Sequence, residues 1–253
     1  LIWISRKTSM QIFKDIAVVV FLVSCFSLLL NLMRFYLVDF SSETTPFINQ
    51  GFLTGLIALI TYFTSIYLLK KENIETPYLL LKAKSFIKIL KITLGAVAYL
   101  SILLELNFGI DTNLIGVENP DDIYSFYGRA GDSIKALMNY GYHFIAIGAF
   151  IVFTKRSNDD VIKLLSFIGL ALLTLIFLLV GNQNSIDIRK FVLLGDINSG
   201  WLVLKYLVTV FMVVANVLFY ISYIKNRGKK EDLYTFFSLT LYLLFRSPDL
   251  FPL

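Results

Sequence analysis

The chain has 253 residues, 57% of them hydrophobic and 15% aromatic, with only 16% charged; a mean hydropathy of +0.73 on that composition excludes an ordinary soluble enzyme. Twenty-three Lys and Arg against eighteen Asp and Glu give a net charge of +5, but the cations are spread over short connections, so the excess describes topology and argues against a nucleic-acid partner. One cysteine, Cys25, and one histidine, His143, exclude an intrachain disulfide, bis-histidine haem ligation and a Cys/His zinc site.

The first element is a basic leader, 1–15, in which Trp3, Arg6 and Lys7 stand among apolar residues and suit a short interfacial helix. The chain opens on Leu1, and Met10 is an equally good reading of its start. A bilayer core of roughly 30 Å needs about 20 apolar residues per helix. Six runs meet that length, at 16–37, 51–69, 86–104, 134–154, 161–180 and 201–224, and none of the five prolines falls inside one. Span one lacks a small-residue cleavage pattern and reads as retained. The expected fold is therefore all-α: a polytopic transmembrane bundle of six spans over 16–224, followed by a basic linker and a C-terminal segment over 225–253.

Sixteen lysines and arginines fall on one side of these spans and four, Arg129, Lys135, Arg189 and Lys190, on the other. The sparse side carries most of the acids, among them Asp111, Glu118, Asp121, Asp122, Asp132 and Asp187. This asymmetry predicts both ends of the bundle in the cytoplasm, hence a multi-pass protein of a cytoplasmic or organellar inner membrane.

Thr76-Pro77 pairs an N-cap with a proline at the first helical position, which predicts that the third helix starts near 77. Lys84, Lys88 and Lys91 then recur at i, i+4 and i+7, either as a docking stripe for an acidic partner or anionic lipid or as lysines snorkelling beneath a span. The second outer loop, 107–133, combines the acidic turn 118–122 with Tyr124, Phe126 and Tyr127, as a lid or as an interfacial belt. The third, 181–200, has an apolar centre at 191–194 and reads as a segment dipping into the interface. Hairpins two-three and four-five share an Ile-Lys start, a glycine (Gly95, Gly169) and a later Ile-Asp pair, a weak parallel repeat or a chance of composition. Residues 233–245 are apolar, but a helix of 13 residues reaches only about 20 Å, so the segment lies on the membrane, docks on a partner, or re-enters.

Ionisable groups inside lipid are costly and mark pathways by default. Arg34, Glu105, Asn139, His143 and Lys205 all fall in the outer half of their spans. Converging, they would make a polar vestibule, with Glu105 pairing with Arg34 or Lys205 and His143 at the floor; separately, they are snorkelling cations and interhelical hydrogen bonds. Asn216, deeper in span six, suits an interhelical hydrogen bond. Gly51 with Gly55, then Gly95, Gly141 and Gly148, suit close helix approach.

No catalytic residue, cofactor or metal site emerges, since the chain has no HExxH, no phosphate-binding loop and no nucleophile elbow. Three functions stay open. The first is a non-catalytic transport, channel or membrane-complex subunit, partnered by the bilayer and by other subunits or further copies of itself. The second follows from the six-span, both-ends-inside plan, which resembles that of ABC-type export permeases; the resemblance implies a coupling segment at Thr76-Pro77 and a separate ATPase, although the long outer loop here follows span three and not span one. The third is an intramembrane enzyme using His143 and a carboxylate.

Overall fold

The computed structural model of the chain describes residues 1–8, 10–38, 45–71, 76–79, 81–114, 126–154, 160–195 and 197–224. The expectations for the acidic turn 118–122, for Tyr124 and for the tail 225–253 lie outside these residues. The described residues are almost wholly helical, and among them are six helices long and apolar enough to cross a membrane; the protein is thus an integral membrane protein. The helices divide three and three between two compact units, Leu1–Val117 and Glu118–Leu253.

In the first unit, α1 (Ile2–Thr8) precedes α2 (Gln11–Met33), which runs on as a π-helical turn, Arg34–Val38. Helix α3 (Gln50–Leu69) begins on Asn49, whose Oδ1 accepts the Phe52 N–H at 2.8 Å and satisfies one of the orphan donors of a helix start. Helix α4 (Ala83–Leu114) buries Ala83, Phe86, Leu90, Val97, Ser101, Glu105 and Phe108, in steps of three, four or seven that keep one stripe inward. Asn49 meets Glu105 and Gly55 lies against Ser101, so α3 and α4 are antiparallel. Their other ends bury Tyr62, Ile66 and Leu69 of α3 with Phe86 and Leu90 of α4. Helix α2 closes on this pair through Phe21, whose ring stands edge-on to Tyr62 at 5.5 Å and to Phe86 at 5.6 Å. The Tyr62 hydroxyl shares a hydrogen bond of 2.9 Å with Ser24.

Three boundaries differ from the sequence reading. The third helix starts at Ala83, not near 77, because Pro77–Tyr78 (β1) pairs antiparallel with Leu81–Lys82 (β2) in a small hairpin. Asp15 accepts the Leu79 N–H at the hairpin tip, and Gln11 Nε2 donates to the Pro77 carbonyl at 3.0 Å, so α2 supplies hydrogen bonds that a helical turn would have made internally. Second, α4 runs on through residues 107–114 and α5 (Phe126–Thr154) begins well before 134, so helix replaces both flanks of the expected outer loop. Third, α6 (Asp160–Ile176) passes through a π-helical turn, Phe177–Gly181, straight into α7 (Asn182–Leu193). Residues expected to dip into the interface thus continue span five, and Ser185, Ile188 and Phe191 are buried there. The wide turn keeps Phe177, Gly181 and Ser185 on one inward face at four-residue spacing.

The second unit is completed by a 3₁₀ turn, Ser199–Trp201, leading into α8 (Leu202–Phe219) and a final π-helical turn, Tyr220–Ile224. Helix α8 buries Lys205, Val208, Met212, Ala215 and Phe219, alternating steps of three and four. Ile134, Leu137, Gly141, Phe144, Gly148 and Ile151 do the same on α5. A Cβ on Gly141 would stand 3.3 Å from Val208, and one on Gly148 would stand 3.9 Å from Ala215. Both helices advance seven residues between these contacts, so α5 and α8 are parallel and share a heptad seam. The proposed repeat is not followed in the packing, because α3 pairs chiefly with α4 whereas α5 pairs chiefly with α8.

A Cβ on Gly55 would fall 2.5 Å from Ser101 Oγ, whereas Gly95, expected at a close approach, has nothing within 4 Å. Gly55→Ala should therefore cost about 1–3 kcal/mol, and Gly55→Ala with Ser101→Gly should be more stable than the two single effects summed. Gly95→Ala should be neutral or stabilising by up to ~1 kcal/mol. Thermal unfolding in detergent micelles checks all three.

Candidate functional site

A carboxylate in an apolar stripe must find donors or be excluded from it. Glu105, on α4, is fully buried and accepts four hydrogen bonds from neutral groups. The Tyr36 hydroxyl donates to Oε2 at 2.5 Å. Asn49 Nδ2 lies 2.8 Å from Oε1 and 3.0 Å from Oε2, and the Phe47 N–H donates to Oε1. No cation lies within ion-pair distance of Glu105 among the described residues, so neutral donors stand where a cation was expected.

Each donor is held by its own local logic. Tyr36 comes from the π-helical turn, its ring edge-on to Phe35 at 4.9 Å and to Phe108 at 5.9 Å. Gly51 lets that turn lie flush on α3, since a Cβ there would stand 2.6 Å from the Phe35 ring and 2.8 Å from the Tyr36 ring. Phe47 has φ of 64°, a conformation that costs an L-residue about 1–2 kcal/mol; it is offset by the N–H bond to Glu105 and by ring contact with Phe52 at 5.5 Å. Asn49 acts twice, capping α3 through Oδ1 and binding Glu105 through Nδ2. The carboxylate thus ties α4, the end of span one and the start of α3 together, about 30 Å along α4 from Lys84, a full hydrocarbon thickness away.

Of the other residues singled out by sequence, Arg34 is exposed and opens the turn that carries Tyr36. Asn139 and His143 are half-buried one turn apart on α5, and the His143 ring lies 6.0 Å from that of Tyr142. Lys205 is buried, 4% exposed, at the first seam position of α8. Asn216 donates to the Met212 carbonyl of its own helix at 2.8 Å and reaches Thr174 Oγ1 of α6 at 3.5 Å, the interhelical contact expected of it. Lys84, Lys88 and Lys91 are exposed on α4. Among the described residues no group of His, Cys, Asp and Glu could hold a metal ion. Beside the α5–α8 seam runs an apolar furrow of about 370 Å³, lined by Phe144, Ala149, Val152, Phe211, Val214 and Leu218 among others.

Sequence reasoning missed Tyr36, Phe47 and Asn49. The available signal was Asn49, an N-cap three residues before Phe52, and the need of a lone glutamate for donors from a loop that could reach it. Comparison with protein-family models, with curated proteins and with solved structures finds no match for this chain.

Removing the carboxylate strands buried donors, each worth about 1–3 kcal/mol. Glu105→Ala should thus lower stability by ~3 kcal/mol or more, and Glu105→Gln, which keeps one acceptor oxygen, by less. Tyr36→Phe should cost ~1–2 kcal/mol and be strongly non-additive with Glu105→Gln in a double-mutant cycle read by unfolding in detergent.

Proposed function

We propose that this protein is a non-catalytic subunit of a transport system or other complex in a cytoplasmic or organellar inner membrane, with both ends of the six-helix set on the cytoplasmic side. The observation that carries the reading is how buried polarity is used. The acceptor positions of Glu105 are filled by Tyr36, Phe47 and Asn49, and Asn216 is engaged with Met212 and Thr174. Polar groups used in this way hold the helices together. The remaining surface is broadly apolar, with bulky residues such as Val23, Phe26, Ile57, Phe63 and Phe153 exposed on the helices, a surface suited to lipid and to neighbouring transmembrane helices.

Mild-detergent purification of the tagged chain from its native membrane, with mass spectrometry of what accompanies it and a native mass of the assembly, tests the proposal. A stoichiometric partner is the expected result. A homogeneous assembly of this chain alone would overturn the subunit reading, and a partner ATPase would recast the protein as a permease of the ABC exporter type. For orientation, a cysteine at Lys88 should react with an impermeant maleimide only after permeabilisation, and one at Lys190 in intact cells.

A further inference from the structure

We infer that the first three turns of α4 form a docking site for anionic phospholipid headgroups, made by Lys84, Lys88 and Lys91 where the lipid-facing apolar surface begins. At 100° per residue the three side chains fall within an arc of about 60° and are spread over about 10 Å of helix axis. All three are exposed, while Phe86 and Leu90 on the other face are each 1% exposed and fix the rotation of the helix. Among the described residues no carboxylate lies within ion-pair distance of any of them. Asp15, the acid held near the hairpin before α4, is engaged by the Leu79 N–H and Gln11 Nε2.

What selects lipid over a soluble acidic protein is the company of these cations. Ile89 and Ile92, 37% and 64% exposed, lie on the same turns, so a ligand meeting the ammonium groups also meets apolar surface that continues along α4. A headgroup phosphate with its acyl chains below satisfies both, whereas a solvated acidic protein would have to cover isoleucine. Lysine supplies point charges on long apolar stems, which place the charge at the headgroup level while the stem stays in the hydrocarbon. An anionic leaflet adds about five-fold in affinity per lysine near its surface.

The test is native mass spectrometry of the full-length protein in mild detergent, titrated with phosphatidylglycerol or phosphatidylcholine. Wild type should retain phosphatidylglycerol preferentially. K84Q/K88Q/K91Q should lose on the order of a hundred-fold in affinity for it, with phosphatidylcholine retention unchanged and Lys190→Gln without effect. Should the triple variant fold poorly, each single variant should still lose about five-fold. Equal retention of the two lipids by wild type, or equal phosphatidylglycerol affinity in wild type and variants, overturns the proposal. So does displacement of phosphatidylglycerol by millimolar inorganic phosphate, which would make the ligand a free anion. Loss of a co-purifying soluble protein with lipid affinity intact would reassign the stripe to protein docking and equally overturn it.

Discussion

Hydrocarbon offers no hydrogen bonds, so every polar group carried into it must be answered by the chain itself. Glu105 is where that constraint acts most strongly, because a carboxylate needs several donors and its own helix has none left to give. The donors arrive from a tyrosine on a widened helical turn, from a loop amide in a left-handed conformation and from a helix-capping asparagine. Taking them all fixes the path of residues 45–49 and the level at which α3 starts beside α4. The Gly55–Ser101 approach one turn deeper follows from the same register.

The two units solve helix pairing in different ways. In the first, sequence neighbours α3 and α4 pair antiparallel, with small residues and the glutamate latch at one end and an aromatic cluster of Phe21, Tyr62, Tyr78 and Phe86 at the other. In the second, α5 and α8 run parallel along a heptad seam, and α6 with α7 supplies the return path between them. A buried lysine at the start of that seam breaks its apolar repeat. Such a residue costs stability but penalises any shift of one helix along the other, a role best attested for polar seam positions in coiled coils.

Six apolar helices were legible from hydropathy alone, because runs of 20 apolar residues have few other uses. Their ends were less legible. The polar residues of 182–190 read as a loop by composition, yet Ser185 back-bonds to the Gly181 carbonyl and Ile188 is fully buried, so tertiary packing continues a helix that local propensity would end. Thr76-Pro77 carried a sound helix-start signal that lost to hydrogen bonds from Gln11 and Asp15, residues more than sixty positions away. Glu105 stands out in the sequence as an acid inside a span, whereas nothing local shows that Tyr36 and Asn49 reach it in place of a cation. The heptad spacing of α5 and α8 was present in the sequence, whereas the choice of each other as partners depends on both helices at once.

The parallel seam also sets an order of events during synthesis. Helices α3 and α4 are separated by a short connection, so the first unit can make its main pairing as soon as α4 has emerged. Helix α5 meets α6 and its π-helical turn first, where Phe144 stands edge-on to Phe177 at 5.7 Å, and the roughly 50 residues of α6, α7 and their connections must be made before α8 covers Gly141 and Gly148. At about 5–20 residues per second that interval is roughly 2–10 s. During it only the positions of α5 that face α8 are uncovered, so the main pairing of the second unit closes later in synthesis than that of the first.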